Sequence, residues 1–134
     1  MPQIKQINHV AVVEDDMEKA LGFWRDALGI ELHELRDVPA EKSQVAFLPL
    51  PGSEVELVKP TSDDSGIAKY LAKRGPGMHH LCLEVDDIDG MMKQLKEKGI
   101  RLINEEPRTA ADGKKYTFIH PESTGGVLVE LYQL

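Results

Sequence analysis

The sequence has little that would mark a secreted, membrane-embedded or nucleic-acid-binding protein. It contains one cysteine, Cys82, which excludes a disulfide within the chain and suits a reducing compartment. The N-terminus lacks the apolar core of a signal peptide, and no apolar run is long enough to cross a bilayer. Acidic residues outnumber basic ones, and the net charge of −7 argues against a nucleic-acid or anionic-membrane surface. We therefore expect a cytoplasmic protein with neither partner.

The sequence contains one pattern that occurs twice. Around His80, residues 78–85 alternate between apolar and polar side chains, two aspartates follow, and apolar residues then recur at helical spacing. The same pattern begins around His9, and an offset of 71 residues places His9 on His80. Val55-Glu56-Leu57 likewise recurs 74 residues later as Val129-Glu130-Leu131. The chain is therefore a tandem duplication, with one histidine and one glutamate at matching places in each copy.

The pattern predicts an α+β fold made of two βαβββ modules. We expect a single domain over residues 1–134, with a first module at 4–60, a linker at 61–76 and a second module at 77–134. The predicted strands are 4–13, 32–36, 44–50, 53–58, 78–85, 100–104, 115–120 and 127–132. The predicted helices are 16–28, with Asp15 as N-cap, a short one ended by Gly75 in the linker, and 87–98. The two sheets should curl into an open, barrel-like cup.

Strand periodicity assigns a face to each candidate residue. The helix of each module needs an apolar surface, so the valines and leucines that flank the two glutamates should face the helices. These residues are Val55, Leu57, Val127, Val129 and Leu131. His9, Glu56, His80 and Glu130 then lie on the opposite face, and they converge if the two sheets curl toward each other.

Two imidazoles and two carboxylates form a suitable ligand set for a divalent first-row metal, with two positions left for a chelating substrate. A single histidine on a strand is more often a hydrogen-bonded or solvent-facing side chain. The recurrence of both residue types in both copies favours ligation. Cys82 shares the face of His80 and is expected to be a small core residue, whereas His79 points to the other face. His33 and His120 have no duplicate and receive no role.

Four segments of the chain match a known pattern: 8–12, 55–60, 77–81 and 125–131. Through them the chain resembles the vicinal oxygen chelate (glyoxalase) superfamily over nearly its whole length. Three further stretches resemble the methylmalonyl-CoA epimerase family within it: 67–74, the His79-His80 pair followed by 85–88, and 113–127. The chain departs from the epimerase pattern in the loop 38–43, at Glu122, and at Val45, where some members carry a further catalytic glutamate.

The resemblance implies an isomerase that interconverts (R)- and (S)-methylmalonyl-CoA through an enolate, and a homodimer. It also implies one divalent ion per chain on His9, Glu56, His80 and Glu130, with Co²⁺ expected and Mn²⁺, Ni²⁺, Zn²⁺ or Mg²⁺ as alternatives. Inversion at C2 requires an acid or base on each face of the enolate. Pseudo-symmetry places Glu56 and Glu130 on related sides of the metal. We assign Glu130 to one face, and Glu56 or the loop residue Glu41 to the other. Three cations are candidates for the coenzyme A phosphates: Arg108, Lys114 and Lys115.

Three other functions use the same fold. Glyoxalase I (lactoylglutathione lyase) would isomerise a glutathione hemithioacetal on the same four ligands. A metal-free relative of the drug-sequestering type would bind a small molecule without them, and the retention of two histidines and two glutamates argues against it. An extradiol dioxygenase needs only two histidines and one carboxylate as metal ligands, so Glu56 would not be needed as a ligand.

Overall fold

The computed structural model describes residues 1–110 and 112–134. They form two compact units. The first, the split unit, consists of two chain segments, residues 1–9 and 80–134, and the second, the continuous unit, consists of residues 10–79. Strand β1 (Ile4–Val13) contributes to both units, as does β5 (Gly77–Val85). Among the described residues, no helix is long and apolar enough to span a membrane.

In the continuous unit, one helix covers one face of a mixed sheet. Its elements are α1 (Met17–Leu21), a π-helical turn (Gly22–Ala27), β2 (Glu34–Val38), β3 (Ser43–Leu50), β4 (Ser53–Pro60) and α2 (Gly66–Arg74). The strand order is β2-β3-β4-β1, and β4 runs parallel to β1. Val55 and Leu57 pack with Met17 and Leu21 of α1, which confirms the predicted helix-facing side of β4. The hairpin of β3 and β4 turns at the predicted Pro51-Gly52.

The split unit repeats this arrangement. Its further elements are α3 (Ile88–Glu97), β6 (Arg108–Thr109), β7 (Lys115–Ile119) and β8 (Val129–Gln133), and the strand order is β1-β5-β8-β7-β6. Val129 and Leu131 pack with Ile88, Met91 and Met92 of α3, as the alternation predicted. Val127 precedes β8 and is 45% exposed, so its predicted place in the helix-facing layer is wrong.

The duplication is also visible in the strand registers of the two units. In the continuous unit Glu56 of β4 pairs with Ala11 on one side and Phe47 on the other. In the split unit Glu130 of β8 pairs with Cys82 and Phe118. Ala11 and Phe47 become Cys82 and Phe118 by the same offset of 71 residues that relates His9 to His80. The two glutamates therefore occupy the same place in two equivalent three-strand ladders.

The first helix differs from its prediction at both ends. Its N-cap is Asp16 rather than Asp15, and the Asp16 carboxylate accepts a hydrogen bond from the Lys19 N–H at 3.2 Å. After Leu21 the helix widens into a π-helical turn, in which the N–H of Leu28 bonds the carbonyl of Phe23. A wider turn rotates the chain less per residue, so Leu28 faces outward and is 53% exposed.

The predicted strand 100–104 is also wrong. Only Leu102 forms a bridge, opposite Ile119, and the N–H of Ile103 bonds the carbonyl of Phe118. Pairing with β7 then resumes at Arg108 opposite Tyr116. Four residues, 104–107, therefore stand against one residue of β7, and Pro107 among them has no N–H to donate. The edge is split by a bulge, and β6 is its second part. The second strand of the chain is shifted as well, since β2 begins at Glu34 instead of residue 32.

The cap of α3 gives a stability prediction. The Asp87 carboxylate accepts a hydrogen bond from the N–H of Gly90 at 3.0 Å. Asp87→Ala removes that acceptor, so we expect the free energy of unfolding to fall by about 1 kcal/mol in urea denaturation. Asp63→Ala, at an exposed aspartate outside any helix or strand, should leave the free energy of unfolding unchanged. Equal stability of the two variants would contradict the capping role of Asp87.

Candidate metal centre

His9, His80 and Glu130 bring their functional atoms together in the split unit. The Nε2 atoms of the two histidines lie 3.3 Å apart. The Oε1 atom of Glu130 lies 3.1 Å from Nε2 of His80 and 3.5 Å from Nε2 of His9. All three side chains are largely buried, with exposed side-chain fractions of 9%, 13% and 11% respectively. Three of the four residues that the sequence singled out thus meet within one unit.

Strand pairing accounts for this meeting. Parallel pairing of β5 with β8 sets Cys82 beside Glu130, and His80 lies two residues before Cys82 on the same face of β5. Leu83, on the alternate face, packs with the α3 layer instead. The ring of Phe118, the other cross-strand neighbour of Glu130, meets the His80 ring edge-on at 5.6 Å. One aromatic ring thus packs against the imidazole of His80.

The electrostatics of Glu130 favour its charged form. Burial alone would raise the pKa of this carboxyl, but its close contacts with His80 and His9 outweigh burial and lower the pKa to about 2. Glu130 is therefore an anion at neutral pH. An ionised carboxylate can donate an electron pair to a metal ion, as a ligand must.

Cys82 belongs to the same cluster, which its sequence context did not predict. Its sulfur and one ligand atom each of His9 and Glu130 lie within 4.8 Å of one another, and these three residues form a group able to hold a metal ion. Cys82 is 0% exposed, in line with the expected core position. The signal that could have found it is its spacing, because a residue two positions after His80 must share its face.

The separations fit a single ion. Ligand atoms about 2.1 Å from a metal, at tetrahedral or octahedral angles, lie about 3.0–3.4 Å apart. The three separations among Nε2 of His9, Nε2 of His80 and Oε1 of Glu130 are 3.3, 3.1 and 3.5 Å. Imidazole nitrogen and carboxylate oxygen also match the preferences of divalent first-row ions. Members of the vicinal oxygen chelate superfamily, which the sequence resembles, usually carry such an ion.

Glu56 lies in the continuous unit, half-buried on β4. Its neighbours Val55 and Leu57 belong to the layer that packs on α1, so Glu56 occupies the opposite face of the strand, as predicted. On that face an apolar cluster of Ala11, Val45 and Val58 packs against Ile67 of α2. Val45, where some epimerases carry a glutamate, is thus an apolar packing residue here.

The remaining candidates are surface residues. Glu41 is exposed at the end of a short 3₁₀ turn in the continuous unit. Arg108 and Lys114 are exposed in the split unit, and Lys115 donates to Asp89 at 3.2 Å. Lys115 also lines a cavity of about 610 Å³ beside α3. That cavity holds more acidic than basic side chains, so it is a poor site for phosphate groups.

His79, beside His80 in the sequence, makes a different contact. Its ring meets the ring of Tyr70 on α2 edge-on at 4.7 Å, and the Tyr70 hydroxyl donates to the carbonyl of Met78. These contacts join α2 to β5 within the continuous unit. Of the two unassigned histidines, His33 is exposed, and His120 accepts a hydrogen bond from the N–H of Glu122.

Comparison with known proteins identifies the class. A family model described as the Glyoxalase/Bleomycin resistance protein/Dioxygenase superfamily matches residues 8–118. The chain belongs to this superfamily, and the membership confirms the predicted α+β fold of βαβββ modules.

Closer relatives identify the family within that class. The mitochondrial methylmalonyl-CoA epimerase of Bos taurus is 45% identical over 96% of this chain and 74% of that protein. The ethylmalonyl-CoA/methylmalonyl-CoA epimerase of Cereibacter sphaeroides is 40% identical over 98% of this chain and 99% of that protein. A solved methylmalonyl-CoA epimerase, in complex with methylmalonyl-CoA and NH4+, has a TM-score of 0.86 at 31% identity and covers 98% of this chain and 95% of that chain. The chain belongs to the methylmalonyl-CoA epimerase family.

Proposed function

We propose that this enzyme interconverts the (R) and (S) epimers of methylmalonyl-CoA by removing and returning the proton at C2. The observation that carries the proposal is the near-full-length similarity to epimerases, one of them solved with methylmalonyl-CoA. The cluster of His9, His80 and Glu130 supports it, because these side chains can hold a divalent cation, and the chemistry needs a positive charge to stabilise the negative charge that develops.

The proposed ligand set contains His9, His80 and Glu130, and the family resemblance adds Glu56 as a fourth ligand. The equivalent registers of Glu56 and Glu130 support the inclusion of Glu56. When bound, a divalent ion supplies Lewis-acid stabilisation of the charge that develops on the thioester oxygen. Co²⁺ is the proposed ion, with Mn²⁺, Ni²⁺, Zn²⁺ and Mg²⁺ as alternatives, since nitrogen and oxygen donors accept all five.

Side chains of the protein move the proton. Inversion requires one group to take the C2 proton from one face and another to deliver a proton to the opposite face. We assign Glu130 to one face and Glu41 or Glu56 to the other. The low pKa of Glu130 makes it a weak base while it contacts both histidines, so its part in proton transfer requires those contacts to loosen.

The acyl-CoA substrate carries phosphates that need cations. Arg108 and Lys114 are exposed in the split unit. Lys114 would have to exchange its ion pair with Asp112, and Lys115 its bond to Asp89. The proposal further includes a homodimer, as the family resemblance implies, and a cytoplasmic setting, which the single buried Cys82 suits. Sedimentation of the purified protein tests the dimer.

Hydrogen exchange at C2 tests the function. In deuterium oxide the protein should convert one epimer of methylmalonyl-CoA into the other with deuterium at C2, far faster than the uncatalysed background. Proton NMR measures the exchange, and a stereospecific mutase-coupled assay measures the inversion. The comparison substrate is the hemithioacetal of methylglyoxal and glutathione. Loss of the hemithioacetal without C2 exchange would replace the epimerase assignment with glyoxalase I.

A further inference from the structure

A chain of hydrogen bonds reaches His9 from the side away from the proposed metal centre. Nδ1 of His9 lies 2.8 Å from Oδ1 of Asn8. Nδ2 of Asn8 lies 3.4 Å from Oε1 of Glu84, and Nε2 of Gln6 lies 3.3 Å from the same oxygen. Glu84 is only 8% exposed, and it lies on β5 within the split unit together with the other three residues.

The chemistry of these groups fixes the direction of the bonds. A carboxylate can only accept, so the amide nitrogen of Asn8 must face Glu84 and its oxygen must face His9. An amide oxygen also only accepts, so Nδ1 of His9 must carry the hydrogen. A neutral imidazole with hydrogen on Nδ1 has its lone pair on Nε2. This is the atom that lies beside His80 and Glu130.

We propose that Asn8, oriented by Glu84, is a positioning residue that holds His9 in the tautomer needed for ligation. Glu84 orients the Asn8 amide, and the amide oxygen holds the hydrogen of His9 on Nδ1. Nε2 of His9 then has its lone pair free to bind the metal. The buried position of Glu84 suits this part, because a shielded carboxylate orients donors more strongly than an exposed one. The inference rests on the metal centre proposed above.

The neighbouring contacts are consistent with this tautomer. His80 Nε2 is nearer to the Glu130 carboxylate than His9 Nε2 is, at 3.1 Å against 3.5 Å. His80 is therefore the better donor to Glu130 in the metal-free protein.

Gln6 offers a matched control. It donates to the same Glu84 oxygen as Asn8 does, at nearly the same distance, and Asn8 is the one that also accepts from His9. Gln6→Leu and Asn8→Leu each remove one amide from Glu84. Only Asn8→Leu removes the acceptor from His9. If disturbing Glu84 alone weakens metal binding, both variants should show it. If the His9 tautomer matters, only Asn8→Leu should show it.

The experiment measures Co²⁺ affinity by titration of the cobalt absorption bands. Orienting partners of metal-bound histidines contribute about 10–100-fold to affinity, so Asn8→Leu should weaken Co²⁺ binding by that factor. Gln6→Leu should bind Co²⁺ as the unchanged protein does. The double variant Asn8→Asp with Glu84→Gln keeps the net charge and both hydrogen bonds, with the donor now on residue 84. It should recover most of the lost affinity.

Nitrogen-15 NMR of metal-free, histidine-labelled protein at pH 8 supplies a readout that does not depend on metal or activity. His9 should carry its hydrogen on Nδ1 in the unchanged protein and lose that preference in Asn8→Leu. Hydrogen on Nε2 in the unchanged protein, or equal Co²⁺ affinity of Asn8→Leu and Gln6→Leu, would overturn the proposal. If the unchanged protein binds no Co²⁺, the metal centre itself is wrong, and the NMR result still decides the tautomer.

Discussion

His80→Ala should lose most of its bound divalent ion and at least about 100-fold of its epimerase activity. Removal of a group that only orients a ligand costs about 10–100-fold in metal affinity or activity, and removal of the ligand itself should cost no less. The change also takes one partner from Glu130, whose carboxylate lies 3.1 Å from His80 Nε2. Elemental analysis and the C2 exchange assay should therefore decline together.

The matched control is His33→Ala, because His33 is an exposed histidine outside the cluster. It should retain the metal content and activity of the unchanged protein. Protein stripped with a chelator should be inactive and should recover when Co²⁺ is returned. Full turnover by thoroughly metal-free protein would exclude a metal mechanism, and full metal content in His80→Ala would exclude that residue as a ligand.

Much of the sheet could be predicted from sequence because one face of each strand is buried against a helix. Alternation alone assigns Leu57 and Leu131 to the helix layers, and both pack there. A slip of one residue would turn each leucine away from its helix and place the adjacent glutamate in the apolar layer. Repetition of the pattern in both modules made the assignment stronger than either copy could.

The missed elements depend on features that side-chain patterns do not encode. The π-helical turn after Leu21 follows a helical apolar pattern like any other, and only the backbone bond from Leu28 to Phe23 reveals it. The bulge at residues 104–107 is a local break in pairing along one edge strand. Its single proline is a weak signal of where pairing stops and resumes.

The candidate site shows the same division. Period two placed His80 and Glu130 on one face, and the structure brings their side chains within hydrogen-bonding distance. Cys82 was on that face as well, but a lone strand cysteine gives no sign of which neighbours it meets. The bonds from Asn8 to His9 and Glu84 were beyond prediction, since Asn8 and Glu84 are 76 residues apart in sequence. Such contacts depend on how two strands are placed side by side.

Glu130→Gln should suppress both C2 exchange and inversion of methylmalonyl-CoA, whereas Glu41→Gln should abolish inversion and retain exchange. Glu130 is bonded to both histidines, so its replacement removes a charged ligand as well as the proposed base. Glu41 is exposed on a 3₁₀ turn outside the histidine cluster, and its replacement leaves the three clustered side chains unchanged. An enzyme that retains a base on one face can still exchange the C2 proton, but it cannot return a proton to the other face.

Each variant is assayed in deuterium oxide with one epimer, and metal content is measured on the same samples. Without that measurement, lost activity in Glu130→Gln cannot distinguish a missing base from a missing ion. Glu31→Gln, at an exposed glutamate of the same unit, is the control for Glu41→Gln and should behave as the unchanged protein. Unimpaired inversion by Glu41→Gln would assign the second face to Glu56. If Glu130→Gln keeps its metal and its exchange rate, Glu130 is a ligand alone and the C2 proton is taken by another group.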